Sequence, residues 1–162
     1  MRLYLARHGK AEYGGNDEDR RLSTRGRADV EAMAAHLAAQ QIPLTRIVHS
    51  TLARARETAE IMGAAMAPKV KLEEISGIEP WGDVGAFINQ ANNWDKNTLV
   101  VGHEPFMGEA ASKLMSGDIH GELVQVKTGT VMAFSRNPYG DTWQMRWMLN
   151  PRLVRGPKRM ED

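Results

Sequence analysis

The chain opens with Arg2-Leu3-Tyr4-Leu5-Ala6-Arg7-His8-Gly9, a short apolar run that ends in a cation, an imidazole and a glycine. A continuous apolar run of this length predicts a buried β-strand. The pattern recurs at Leu99-Val100-Val101-Gly102-His103, and a third short run, Arg46–His49, precedes a segment that carries Arg54. In an α/β sheet, ligands bind beyond the carboxyl ends of the strands. We therefore expect three strand ends to bring two histidines and two arginines together.

Strands and helices are predicted to alternate through most of the chain. Ser23 has the side chain of a helix N-cap, and Val30, Met33, Ala34 and Leu37 follow it at helical spacing. The other predicted elements are helices over 52–66, 81–88 and 104–115 and a strand over 70–72. This alternation predicts an α/β fold, a three-layer α/β/α sandwich with a mostly parallel central sheet.

The end of the chain has a different pattern. Three short runs joined by turns predict strands at Leu123–Val126, Thr130–Phe134 and Trp143–Trp147. Such strands would give the sheet an antiparallel edge. We expect a single domain over residues 1–150 and a charged C-terminal tail over residues 151–162.

Composition limits the classes of partner. The chain has 162 residues, which fits one domain, and a net charge of +1, so no large basic field favours nucleic acid or an anionic membrane. It has no cysteine, which removes disulfides, thiolate zinc sites and cysteine nucleophiles. No apolar run approaches the roughly 18 residues of a membrane span, and Arg7 and His8 interrupt the N-terminal apolar run too early for a signal peptide. The expected location is cytoplasmic.

His8 has the properties of a nucleophile. An unperturbed imidazole has a pKa of about 6.5, so much of it is neutral near pH 7 and can attack phosphorus. Neighbouring arginines would disfavour the imidazolium further. Gly9 could let a backbone carbonyl reach the other ring nitrogen and fix the tautomer. A lone surface histidine at a strand end is the alternative, because a tripeptide matches often by chance.

Arg7, Arg54 and His103 could hold a phosphoryl group. Guanidinium is a planar, permanently charged fork that matches phosphate oxygens. Arg54 lies in a first helical turn, where free backbone amides also favour an anion, and His103 could donate to a non-bridging oxygen. The alternatives are a solvated helix-face arginine and a histidine that bonds a turn carbonyl.

Two residues outside the strand ends are further candidates for substrate binding. Arg20 lies in a polar loop that either reaches the site or stays mobile. Glu79 could protonate a leaving group if burial raises its pKa, or it is an ordinary loop glutamate. A metal site made of His8, His103 and Glu104 is disfavoured because the arginines would repel a cation, and we expect neither metal nor cofactor.

Four blocks of the sequence resemble the histidine phosphatase superfamily, and specifically its small SixA-type phosphohistidine phosphatases. The blocks are Arg7-His8-Gly9, Ser50 to Ala59, Gly102-His103-Glu104-Pro105, and Arg20 with Leu22-Ser23-x-x-Gly26. Thr51 stands where the family usually has proline. The resemblance implies a phosphoglycerate mutase-like fold for the domain.

The resemblance also implies roles for single residues. His8 would be the phosphorylated nucleophile, and Arg7, Arg54 and His103 would complete the phosphate pocket. Gly9, Arg20 and Glu79 would belong to the substrate-binding surroundings.

The activity implied is that of a metal-independent phosphatase. Family members that act on larger esters carry insertions that cap the site, whereas the segment between Arg54 and His103 is compact here. An open pocket suits a phosphohistidine on another protein, whose imidazole leaving group needs little help from an acid. The alternatives are a phosphatase of small phosphate monoesters with the same pocket, and a phosphohistidine-binding module without turnover.

Overall fold

A six-stranded sheet lies between two layers of helices in the computed structural model, which describes residues 1–156. The strands are β1 (Arg2–Arg7), β2 (Arg46–His49), β3 (Leu72–Glu74), β4 (Thr98–Gly102), β5 (Val131–Arg136) and β6 (Trp143–Leu149). The helices are α1 (Thr24–Ala39), α2 (Ala53–Met66), α3 (Val84–Ala91), α4 (Phe106–Ser116) and α5 (Pro151–Arg155).

The strand order confirms the predicted α/β sandwich. The sheet runs β3-β2-β4-β1-β5-β6. The first four strands pair in parallel, whereas β5 is antiparallel to both β1 and β6. The carboxyl ends of β1, β2 and β4 therefore meet at one edge of the sheet, and the chain there continues into His8, Ser50 and His103.

Alternation along β1 divides the core between the two faces of the sheet. Leu3 and Leu5 belong to one buried cluster with residues of α3 and α4, and Tyr4 and Ala6 belong to another with residues of α1 and α2. Because all four side chains are at most 3% exposed, β1 is buried on both faces. This explains why its sequence is continuously apolar rather than half polar.

Close packing brings α1 against the loop that follows β1. Ser23 caps α1 by accepting a hydrogen bond from the backbone N–H of Gly26, as its side chain predicts. A Cβ at Gly26 would overlap the Lys10 carbonyl, and a Cβ at Gly9 would lie 2.6 Å from Val30 Cγ2. Two glycines of the recognised motifs therefore let α1 approach the strand end that carries His8.

One predicted strand is wrong. Leu123–Val126 forms no strand in the described chain. β1 lies between β4 and β5, and β5 lies between β1 and β6, so neither β1 nor β5 has a free edge with which the segment could pair. The antiparallel edge consists of β5 and β6 alone.

Other boundaries shift by a few residues. The third strand begins at Leu72 rather than Val70, and α3 begins at Val84, with Asp83 as its N-cap, rather than at Trp81. Of the predicted tail, residues 151–155 form α5, in which Pro151 is buried, and residues 157–162 lie outside the described residues. No helix within residues 1–156 has the length and apolar character to cross a membrane.

Candidate active site

His8 is held with one ring nitrogen bound and the other facing the pocket. Its Nδ1 lies 2.6 Å from the carbonyl oxygen of Gly9, which requires Nδ1 to carry the proton. Arg54 Nε donates to His8 Nε2 over 3.3 Å, so Nε2 keeps its lone pair on the side of the cations. The Gly9 backbone N–H in turn donates to Thr58 Oγ1, which fixes the turn to α2.

Electrostatics keep His8 neutral. Burial, together with the charges of Arg54, Arg7 and Arg20, lowers its pKa to about 4, although the bond to Gly9 opposes the shift. A neutral imidazole with the proton on Nδ1 and a lone pair on Nε2 is the reactive form of a nitrogen nucleophile. The sequence predicted that Gly9 could let a backbone carbonyl reach one ring nitrogen of His8, and the carbonyl that does so is that of Gly9 itself.

The two arginines are anchored from different directions. Arg7 Nη1 donates to the carbonyl oxygen of Val126 over 2.8 Å, and its Nε has no hydrogen-bond partner in residues 1–156. Arg54 is 5% exposed and donates through Nη1 to the backbone oxygen of Asp17 over 2.8 Å. Both guanidinium groups therefore have fixed positions and still have donors for a phosphoryl group.

A short 3₁₀ turn, Asp17–Asp19, carries a carboxylate to the arginines. Asp17 Oδ2 lies 3.4 Å from Arg54 Nη2, and its Oδ1 lies 3.1 Å from Arg20 Nη1. Desolvation opposes the change, but the two arginines lower the pKa of Asp17. Arg20 also donates to the Glu12 carbonyl over 2.6 Å, so the loop itself holds Arg20 beside the pocket.

His103 is the most deeply buried member of the set, at 1% exposure. Its ring centroid lies 5.0 Å from that of His8. Burial, followed by the charges of His8, Arg54 and Arg7, lowers the pKa of His103 to about 2, so it too is neutral.

Ser50 selects the tautomer of His103. Ser50 Oγ accepts from the backbone N–H of Leu52 and lies 2.5 Å from His103 Nε2. Since His103 Nε2 is the one acceptor within reach of the Ser50 hydroxyl proton among the described residues, the serine donates to Nε2 and the ring proton resides on Nδ1, which has no partner there. Nδ1–H can therefore donate to a phosphoryl oxygen.

Glu79 is buried beside this pocket rather than inside it. It is 6% exposed, accepts from Thr51 Oγ1 over 3.0 Å and from the Gly77 backbone N–H over 2.7 Å. Among the described residues no hydrogen bond joins it to His8 or His103. Its contact with Thr51 connects the turn before α3 to the turn before α2.

The structure thus assembles the four predicted pocket residues, with Arg20 and Gly9 beside them. Sequence reasoning missed the supporting contacts of Ser50, Thr58 and Asp17. Ser50 and Thr58 lie inside the block that resembles the family, so their polar character next to Arg54 was the available signal. Asp17 had no such signal. In the part of the chain that the structure describes, no three His, Asp or Glu side chains are grouped so as to hold a metal ion.

Comparison with known proteins identifies the family. The sequence model of the histidine phosphatase superfamily (branch 1) matches residues 3–78. The chain is 34% identical over 140 residues to an uncharacterized protein of Picosynechococcus sp., which covers 81% of this chain and 83% of that protein. It is 29% identical over 123 residues to the phosphohistidine phosphatase SixA of Escherichia coli, covering 73% of this chain and 76% of SixA.

Structural comparison agrees with the sequence matches. The structure of the protein histidine phosphatase SixA complexed with tungstate superposes with a TM-score of 0.82 at 24% identity, covering 95% of this chain and 99% of that one. The two chains share their fold over nearly their whole lengths. The chain therefore belongs to the histidine phosphatase superfamily and is of the SixA type.

Proposed function

We propose that this protein is a metal-independent phosphatase that hydrolyses phosphohistidine on another protein. The observation that carries the proposal is the state of His8: a neutral imidazole whose Nδ1 is bound by the Gly9 carbonyl and whose Nε2 lies 3.3 Å from Arg54 Nε. The similarity to SixA of Escherichia coli supports phosphohistidine as the substrate class.

The reaction runs in two steps. His8 Nε2 attacks phosphorus in line, the P–N bond to the substrate imidazole breaks, and the leaving nitrogen takes a proton from solvent. Water then attacks phosphorus, the P–Nε2 bond breaks, and inorganic phosphate leaves a regenerated His8. Arg7, Arg54 and His103 Nδ1–H bind the equatorial oxygens in both transition states, as fixed donors should.

The shape of the site supports a protein substrate. Between Arg54 and His103 the chain forms α2, β3 and α3, which all belong to the sandwich. The segment therefore adds no capping domain over His8. A pocket open at the sheet edge can receive a phosphorylated side chain that projects from a large partner.

A second candidate, a phosphatase of small phosphate monoesters, depends on Glu79. An alkoxide leaving group needs protonation far more than imidazole does. Glu79 is buried and bonds Thr51, next to the Ser50 that contacts His103, which favours an acid near the pocket. If this candidate is right, Glu79→Gln lowers ester hydrolysis by about 10²-fold and spares a phosphoramidate. Equal effects on both substrates would contradict an acid role.

The deciding experiment compares a phosphohistidine peptide with a phosphoserine peptide in EDTA, with His8→Ala beside the wild type. We expect rapid phosphate release from the phosphohistidine peptide alone, and its loss in the variant. Preference for phosphoserine would support the ester reaction. Tight binding without release would support a binding module, and loss of activity in EDTA would contradict metal independence.

A further inference from the structure

A groove of about 790 Å³ opens beside the phosphate pocket. Its walls come from the start of α4 and from residues 122–127, and Arg7 forms part of the same lining. Small-molecule sites occupy about 300–1,000 Å³, so the groove is far larger than a phosphoryl group needs. Since Arg7 lines both the phosphate pocket and the groove, a substrate held by its phosphoryl group can continue into the groove.

The segment Leu123–Lys127 in this wall resembles a strand without a partner. Burial alternates along it, with residues 123, 125 and 127 exposed and residues 124 and 126 turned inward. Two side chains hold it: Ser112 Oγ accepts from the Leu123 N–H over 3.2 Å, and Arg7 donates to the Val126 carbonyl. Within residues 1–156, no backbone hydrogen bond engages Val124 or Gln125.

An unpaired stretch of this kind is suited to β-augmentation, in which an extended peptide adds itself along exposed backbone groups. The sequence of Leu123–Val126 has strand character, but the segment pairs with no strand of the sheet. Among the described residues, the backbone groups of Val124 and Gln125 form no backbone hydrogen bond, and both residues line the groove together with Arg7. The occupant that fits is therefore a polypeptide in extended conformation rather than a compact metabolite.

Charge indicates which peptide fits. Three carboxylates line the groove, those of Glu104, Glu109 and Glu122. Its other titratable lining residues are Arg7, His120 and Lys127. Arg7 is committed to the phosphoryl group, so in the remainder of the groove three carboxylates stand against the single lysine, Lys127. A substrate peptide that places its phosphoryl group in the pocket and a basic side chain in the groove would complement the charges of both regions.

We propose that Leu123–Lys127 pairs with an extended stretch of the substrate protein, and that Glu109 and Glu122 bind a basic side chain in that stretch, close to the phosphorylated histidine. The inference rests on the proposed function, because the phosphoryl group bound at His8 sets the register of the peptide. It names the partner as a phosphoprotein with a basic, extended flank.

The first test varies the substrate and leaves the protein intact. Three phosphohistidine peptides of equal length carry a flanking arginine, a flanking glutamate, or the arginine with N-methyl groups on alternate backbone amides. Free phosphohistidine reports on the pocket alone. We expect kcat/KM to fall about fivefold from arginine to glutamate and about fivefold on N-methylation, as loss of an exposed ion pair or of hydrogen bonds predicts. Equal kcat/KM for all three peptides would overturn the inference.

The second test varies the protein. In Glu109→Gln/Glu122→Gln the preference for arginine over glutamate should disappear. The matched control Glu31→Gln/Glu60→Gln removes two exposed carboxylates from α1 and α2 and should keep the preference. Persistence of the preference in the groove variant would contradict the assignment of the two carboxylates.

A binding map separates this inference from the proposed function. In His8→Ala, the arginine peptide should shift the amide resonances of Val124, Gln125 and Lys127. Shifts confined to another surface, or the same shifts caused by self-association of the chain, would overturn it. If the wild type releases phosphate from none of the three phosphohistidine peptides, the proposed function itself fails, and the inference falls with it.

Discussion

Two backbone groups decide the chemistry of the two site histidines. At His8 the Gly9 carbonyl fixes the proton on Nδ1 and leaves the Nε2 lone pair for the proposed attack on phosphorus. At His103, Ser50 Oγ accepts from the Leu52 N–H, and among the described residues its own proton has no acceptor other than His103 Nε2, so the serine donates to Nε2. One imidazole is prepared to attack and the other to donate, although both are neutral.

Ser50 is a positioning residue, and Ser50→Ala tests this. We expect kcat for phosphohistidine to fall about 10-fold, less than the about 10²–10³-fold that loss of a transition-state donor costs. The reason is that His103 Nε2 loses its donor, so the ring samples both tautomers. The ¹⁵N resonances of the His103 ring should report the change directly.

Thr98→Val is the matched control for Ser50→Ala. It removes a buried hydroxyl, which bonds the Lys96 carbonyl, at the amino end of β4. Any loss of stability from removing a buried hydroxyl should appear in both variants, but only Ser50→Ala should alter kcat and the His103 resonances. A normal His103 tautomer in Ser50→Ala would contradict the positioning role.

The loop between β1 and α1 is the element that closes the pocket on one side. Its 3₁₀ turn brings Asp17 to Arg54 and Arg20, the cations that a phosphoryl group would use. A carboxylate on these guanidinium groups competes with phosphate for the same donors. Withdrawal of the Asp17 side chain would therefore free further donors for the substrate, and the 55% exposure of that side chain gives it room to move.

Asp17→Asn should lower KM for phosphohistidine by about two- to fivefold, the range of an exposed ion pair. Inhibition by inorganic phosphate should become stronger by a similar factor, because both anions compete with the carboxylate. Steady-state kinetics with added phosphate measure both effects. Asp19→Asn, in the same turn, is the control and should leave both constants unchanged. A higher KM in Asp17→Asn would mean that Asp17 organises the arginines for substrate instead.

For the whole molecule, the two neutral histidines couple folding to pH. The folded-state pKa values of His8 and His103 are lowered to about 4 and about 2, whereas an unfolded histidine has a pKa of about 6.5. Between these values the unfolded chain binds protons that the folded chain excludes. Their contribution to stability is therefore complete above a pH of about 6.5. The part due to His8 is lost as the pH falls to about 4, and the part due to His103 is lost as it falls to about 2.

We predict that the free energy of unfolding falls between pH 7 and pH 4.5, with His8 responsible for about 2–3 kcal/mol of the loss. Chemical denaturation at several pH values measures it. His8→Gln, which cannot titrate, should show a slope shallower by about one proton over this range. Identical slopes for the two proteins would place the folded-state pKa of His8 near its ordinary value.

Local sequence predicted most elements because their signals are local. Continuous apolar runs predicted β1 and β4, and the short run Arg46–His49 predicted β2. The Ser23 N-cap and the apolar residues that follow it at helical spacing predicted α1. Leu123–Val126 shows the limit of such signals. Its alternation is that of a strand, but pairing depends on which neighbours remain free once β1 and β5 have formed.

The sequence by itself predicted which residues the site brings together, since residues at the carboxyl ends of parallel strands converge at one edge of the sheet. This rule predicted that His8, Arg7, Arg54 and His103 meet, and the resemblance to the family supplied the roles proposed for them. Only the tertiary structure decided which nitrogen of each histidine is free, how strongly burial lowers their pKa values, and that Asp17 reaches the arginines. These depend on distances between segments far apart in the chain, such as the 2.5 Å between Ser50 Oγ and His103 Nε2, which no local pattern encodes.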